Sequence, residues 1–149
     1  MMRDLTRASV VVIIGVLILA LSACAPVDGD ASELENTRWR LISYGDPGSQ
    51  TPVIEETEVT LHVESGGQAG GSGGCNSFGA EYRVSDGTIS FSEIISTEAY
   101  CLPEEVMEQE RAYFEALRTA DEFEVTDDQL RIRYGDGQGV LTFVRSEAS

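Results

Sequence analysis

A run of glycines leading into a cysteine constrains this chain more than any other feature. Residues 66–82 read Gly-Gly-Gln-Ala-Gly-Gly-Ser-Gly-Gly-Cys-Asn-Ser-Phe-Gly-Ala-Glu-Tyr. Glycine accepts positive φ and close backbone approach, so so dense a run belongs where the chain bulges, bends or crosses itself tightly. Asn76 tolerates left-handed geometry as well. Beyond it Phe78, Ala80 and Tyr82 alternate with Ser77, Gly79 and Glu81, the period of a strand with one buried face. The stretch reads as a Gly-rich turn feeding a strand, a clasp for the fold. A phosphate cradle needs a following helix and a Gly-Lys-Ser/Thr or the spaced glycines of a dinucleotide fold, and neither is present.

The amino end decides the compartment. Arg3 and Arg7 precede an uncharged apolar run at 8–20, which ends in Leu21-Ser22-Ala23-Cys24. The run is too short for a bilayer span, which takes about 20 residues. Its charged lead and small-residue end are those of a secretory signal, residues 1–23. Leu-Ser-Ala-Cys resembles a bacterial lipobox, which implies that Cys24 is lipidated and becomes the first mature residue. The other reading is a plain signal peptide cut near Ala23. Residues 24–35 offer almost nothing to bury and read as the lipidated Cys and a flexible tether, with a reach of about 18 Å. Ala25 after the Cys favours an outer-membrane destination by resemblance to enterobacterial sorting.

Charge narrows the partners. Removing Asp4, Arg3 and Arg7 with the leader leaves 25 acids against 8 bases, and there is no Lys. Such a field repels nucleic acid and anionic lipid heads alike, so nucleic acid is excluded as a partner and contact with the membrane falls to the covalent lipid.

What remains after the leader suffices for one core, so a single domain is expected at 36–146. Strands are predicted at 38–44, where Trp39 and Leu41 share a face, and at 58–63, where Val59, Leu61 and Val63 do. His62, the only histidine, falls on the opposite face and reads as a solvated strand residue, with neither a metal set nor a nucleophile beside it. Asp86-Gly87 predicts a two-residue hairpin between 81–85 and 88–91, followed by a further short strand at 94–97. Pro103 at a first helical position, followed by Glu104 and Glu105, opens a helix to about Thr119. Its apolar stripe is Val106, Met107, Tyr113, Phe114 and Leu117, with Glu104, Glu105, Glu108 and Glu115 on the wet side. Strands at 122–125, 129–134 and 139–144 close the domain. The acidic turns between them lack the spaced oxygen ligands of a calcium loop. Both faces of the last strand are apolar, which implies a curved sheet covered on two sides. The fold class is therefore α+β: a curved, mainly antiparallel β-sheet or partly open barrel with one helix packed against it.

Gly73 to Tyr82, then Ser96-Thr97-Glu98-Ala99-Tyr100-Cys101, then a helix carrying Glu108, Phe114 and Leu117, resemble the META domain of HslJ-like bacterial envelope proteins. Asn36-Thr37-Arg38-Trp39-Arg40-Leu41 and the closing segment 130–143 fit as well, so the resemblance spans about 34–145. It implies a small α+β domain, often secreted or lipid-anchored, linked in relatives to stress or virulence and without established catalytic residues.

In an exported chain Cys75 and Cys101 are candidates for a disulfide. A bridge closes a loop of about 27 residues and restricts the unfolded chain by about 3.5 kcal/mol on the loop-entropy model. The alternatives are two buried free thiols and, last, a catalytic thiol, for which His62 is the sole base. No metal site, cofactor or catalytic residue is expected, since no nucleophile elbow, zinc motif or triad can be assembled. Two functions remain for a protein in the cell envelope, facing the periplasm or the exterior. The first is a non-enzymatic binding or interaction module for an envelope protein, serving stress tolerance, with Trp39, Tyr82 and Tyr100 as aromatics for its site. The second is a carrier of a small apolar ligand or lipid chain in the sheet interior.

Overall fold

Alternating apolar residues every second position carry the chain back and forth around a single interior, and the computed structural model describes residues 30–147 of this path. The leader, Cys24 and tether residues 25–29 lie outside the described residues. The elements are α1 (Ala31–Leu34), β1 (Thr37–Gly45), β2 (Thr51–Pro52), β3 (Val59–Val63), β4 (Gln68–Gly73), β5 (Ser77–Ser85), β6 (Thr88–Ser96), α2 (Glu104–Arg118), β7 (Ala120–Thr126), β8 (Gln129–Tyr134) and β9 (Gly139–Arg145).

Eight strands form an antiparallel barrel in chain order, closed by pairing of β1 with β9 from Trp39↔Arg145 to Gly45↔Val140. The extra strand β2 pairs with the far end of β1, which β3 does not reach. Closure removes edges that an open sheet would expose. One seam is thin: β6 and β7 share the single pair Thr88↔Glu122, whereas β5 and β6 run together from Phe78↔Ser96 to Ser85↔Thr88. The β5–β6 turn has Asp86 at φ +48° and Gly87 at φ +76°, the positive angles that a two-residue hairpin needs to match strand twist.

Side chains fill the barrel. Trp39, Leu41, Leu61, Leu130, Ile132, Leu141 and Phe143 are buried from the strands, with Tyr113 and Leu117 added by α2. Tyr113 sits against Phe78 and Phe143, with ring centroids 5.9 and 6.4 Å away in edge-on geometry. Its hydroxyl donates to Thr60 O across 3.1 Å. Burying one such side chain contributes about 2–3 kcal/mol. Helix α2 therefore stops the end of the barrel where β3 and β5 begin and β4 and β6 end.

Several sequence expectations need correction. The stretch 66–73 is mostly strand β4 rather than a turn. Its glycines let neighbours approach: a Cβ on Gly71 would lie 2.2 Å from Thr60 O. The expected strands at 88–91 and 94–97 are one strand, β6, which passes through a bulge with Glu93 at φ +52°. Pro103 caps α2 and stands just before it instead of within its first turn. The end of the tether is ordered: α1 has an Asp30–Glu33 capping box and drives Leu34 completely into the core. Among the described residues no helix is long and apolar enough to cross a membrane.

Candidate functional site

The clasp is a polar lock built where β4 turns into β5. A Cβ on Gly73 would meet Glu110 Oε2 at 2.6 Å and Phe114 Cζ at 2.8 Å, so only glycine lets α2 come this close. The approach places the buried Glu110 carboxylate beneath the turn. Glu110 Oε2 accepts from the backbone N–H of Cys75 (3.1 Å) and of Asn76 (2.6 Å), and Oε1 accepts from Asn76 Nδ2 (2.6 Å). Asn76 reaches onward to the segment after β6. Its Nδ2 donates to Ala99 O (3.0 Å), while its Oδ1 accepts from Ala99 N (2.7 Å) and Thr97 Oγ1 (2.8 Å). A carboxylate taken from water is tolerated only when its oxygens find such donors.

Covalent and further polar ties complete the lock. Cys75 and Cys101 form a disulfide, with Cα atoms 5.9 Å apart. The backbone N–H of Cys101 donates to Met107 Sδ at 3.4 Å. Immediately before Glu110 on α2, the buried Gln109 accepts from Ile54 N and donates to Thr57 Oγ1, each at 2.8 Å. Segment 96–101 is thereby held rigidly beside α2.

Between that segment and α2 lies an open groove of about 390 Å³, lined by residues that include Thr97, Glu98, Tyr100, Met107, Arg111, Phe114 and Arg118. Tyr100, Met107 and Phe114 give it an apolar part, flanked by Glu98 on one wall and Arg111 and Arg118 on the other. The large apolar side chains most exposed among the described residues are Ile95 (73%), Tyr100 (69%) and Leu102 (79%), all within eight positions of one another. Arg118 makes a long contact to Glu115 at 3.9 Å, both exposed, a pairing worth little in water. Arg111 has no ion-pair partner among the described residues.

The aromatics expected at a site separate. Trp39 is fully buried, its indole N–H donating to Thr37 Oγ1 at 2.6 Å and its ring covered by Arg145 at 4.4 Å. Tyr82 is buried too and donates to Glu64 O at 3.0 Å. Both are core residues; Tyr100 alone faces solvent at the groove. His62 is half-buried on β3, and burial, then the nearby Arg38, lower its pKa against the opposing pull of Glu64 and Glu58. Among the described residues no three His, Cys, Asp or Glu side chains converge as metal ligands.

A family model for the META domain matches residues 32–148. The chain belongs to the META domain family. Three solved structures share its architecture. An NMR structure of a protein from Burkholderia xenovorans is 26% identical, with TM-score 0.69 over 85% of this chain and 94% of that one. A second NMR structure is 21% identical, with TM-score 0.62 over 78% and 94%. A crystal structure of a DUF4847 family protein from Bacteroides vulgatus ATCC 8482 is 12% identical, with TM-score 0.57 over 81% and 100%; these last two speak to the fold alone. No curated protein matches the chain.

Glu110, Gln109, Arg111 and Arg118 of this META domain escape a reading of apolar periodicity. The signal for Glu110 is nonetheless in the sequence. It stands four residues after Val106, four before Phe114 and seven before Leu117, so helical spacing puts an acid on the buried stripe.

Proposed function

We propose that this META-domain protein is a lipid-anchored, non-enzymatic interaction module of the bacterial envelope, and that it binds an envelope partner through the groove between segment 96–101 and α2, in the service of stress tolerance. The observation that carries the reading is the groove itself, where the exposed Tyr100 joins Met107 and Phe114 beside a segment tied down by the Cys75–Cys101 bridge and the Asn76 bonds, on an otherwise acidic molecule. Exposed apolar side chains gathered on a rigid wall mark contact surfaces rather than chance exposure. The sequence supports the anchor through its leader and Leu21-Ser22-Ala23-Cys24. The filled interior favours the module over a carrier, which needs an empty one.

The test is site-specific photo-cross-linking in intact cells. A photoreactive residue at Tyr100 is expected to trap a discrete partner, and one at Arg131, on β8, is expected to trap none. Equal trapping at both positions, or none at either, contradicts the assignment. In parallel, palmitate labelling is expected for the wild type and lost in Cys24→Ala.

A further inference from the structure

The groove has the parts of a strand-accepting slot. Segment 96–100 leaves β6 extended, and it is bonded along one edge only. Thr97 N donates to Ser77 O at 3.1 Å, and both the N–H and the C=O of Ala99 are taken by the Asn76 side chain. Backbone groups of successive residues in an extended chain point to opposite edges. The N–H and C=O of Glu98 and Tyr100 therefore face the other way, and they have no hydrogen-bond partner among the described residues. The same edge of β6 is nearly free of strand pairing, since its only bridge to β7 is at Thr88. Across the groove stands α2. From Met107 to Arg118 the helix rises about 16 Å at 1.5 Å per residue, and an added strand of five residues spans about 16 Å at 3.3 Å per residue. The two walls match in length.

Resting on the reading of the groove as the binding surface, we infer that it takes an extended, acidic peptide segment of its partner by strand addition to the Glu98–Tyr100 edge. Main-chain bonds to that edge supply the affinity, and side chains alternating across the new strand supply the selection. Those pointing down meet Met107 and Phe114. Carboxylates on the helix side meet Arg111 and Arg118, two guanidinium groups seven residues apart on one face. In a chain with formal net charge −16, two cations with no strong internal partner define where an acidic segment is tolerated and fix its register. Glu98 stands at the opposite wall and disfavours acids there, so the acidic positions fall on the helix side.

The experiment selects random displayed octapeptides against the full-length protein held in detergent micelles. Enrichment of peptides with two or more acidic residues is expected. Their binding should weaken at least tenfold in Arg111→Glu/Arg118→Glu, whose exposed positions leave folding intact, and selection against that variant should return basic peptides instead. Amide exchange at Glu98 and Tyr100 should slow at least tenfold with an enriched peptide bound, and N-methylation of alternate peptide nitrogens should abolish binding. Failure to enrich any peptide, or enrichment of peptides that leave both amides unprotected or ignore the charge reversal, overturns strand addition. If the Tyr100 cross-link still forms in cells under that outcome, the interaction module stands and only the peptide mode falls. If the cross-link is absent as well, both fall.

Discussion

Glu110 ties the β4–β5 turn to α2, because three donors converge on its two oxygens and the residue is buried. Replacing it with Gln turns one oxygen into a donor that must face either Asn76 Nδ2 or the backbone N–H groups. We expect Glu110→Gln to lower stability by about 2 kcal/mol, read as a lower denaturant midpoint with an unchanged slope. Asn76→Ala should be non-additive with it in a double-mutant cycle, since both belong to one network. Tyr113 gives a second test through pH. Burial raises its pKa, while in the unfolded chain it ionises near pH 10. The unfolded state therefore binds fewer protons than the native state above that pH, so this contribution is fully present below about pH 10 and is lost as pH rises. Tyr113→Phe should flatten the alkaline fall in stability; parallel curves for the two proteins contradict this account.

Elements differ in how openly the sequence announces them. Gly73→Ala, which drives a methyl into Glu110 and Phe114, should cost about 3 kcal/mol, whereas Gly79→Ala, with nothing within 4 Å of its added Cβ, should change stability by less than about 0.5 kcal/mol. Thermal or denaturant midpoints distinguish the two. That contrast explains why β4 was illegible: in Gln68–Gly73 only Ala69 carries an apolar side chain, so there is no alternation to read, and the reason for its glycines lies on α2. Strands β1, β3, β5 and β8 were legible from period-two alternation, β9 from a run apolar on both faces, and the hairpin from Asp86-Gly87. β6 looked like two strands because its bulge breaks the period, and α1 was hidden because one Leu in a polar stretch gives no pattern. At the clasp the cysteine pair was legible, whereas the groove was not, since its walls come together only when α2 folds back. Removing the bridge with Cys75→Ala/Cys101→Ala should lower stability by about 3.5 kcal/mol for a sequence separation of 26 residues and speed amide exchange in segment 97–101.

At the scale of the whole molecule, the barrel, stopped at one end by α2, and its charge support the proposal that contact is made on the outside. An eight-stranded barrel is only just wide enough for its own side chains, and here they fill it. The acidic surface discourages indiscriminate association, and on the proposed reading the arginine-edged groove is the place where contact is favourable. The claim at the centre is that this one surface is occupied in the envelope. The most direct measurement is hydrogen exchange on the anchored protein in native envelope membranes, set against the same protein purified in detergent. Occupancy predicts that residues 95–102 and the groove-facing turns of α2 exchange at least tenfold more slowly in the envelope, with β8 and β9 unchanged. Identical exchange in both preparations, or slowing confined to other surfaces, contradicts it.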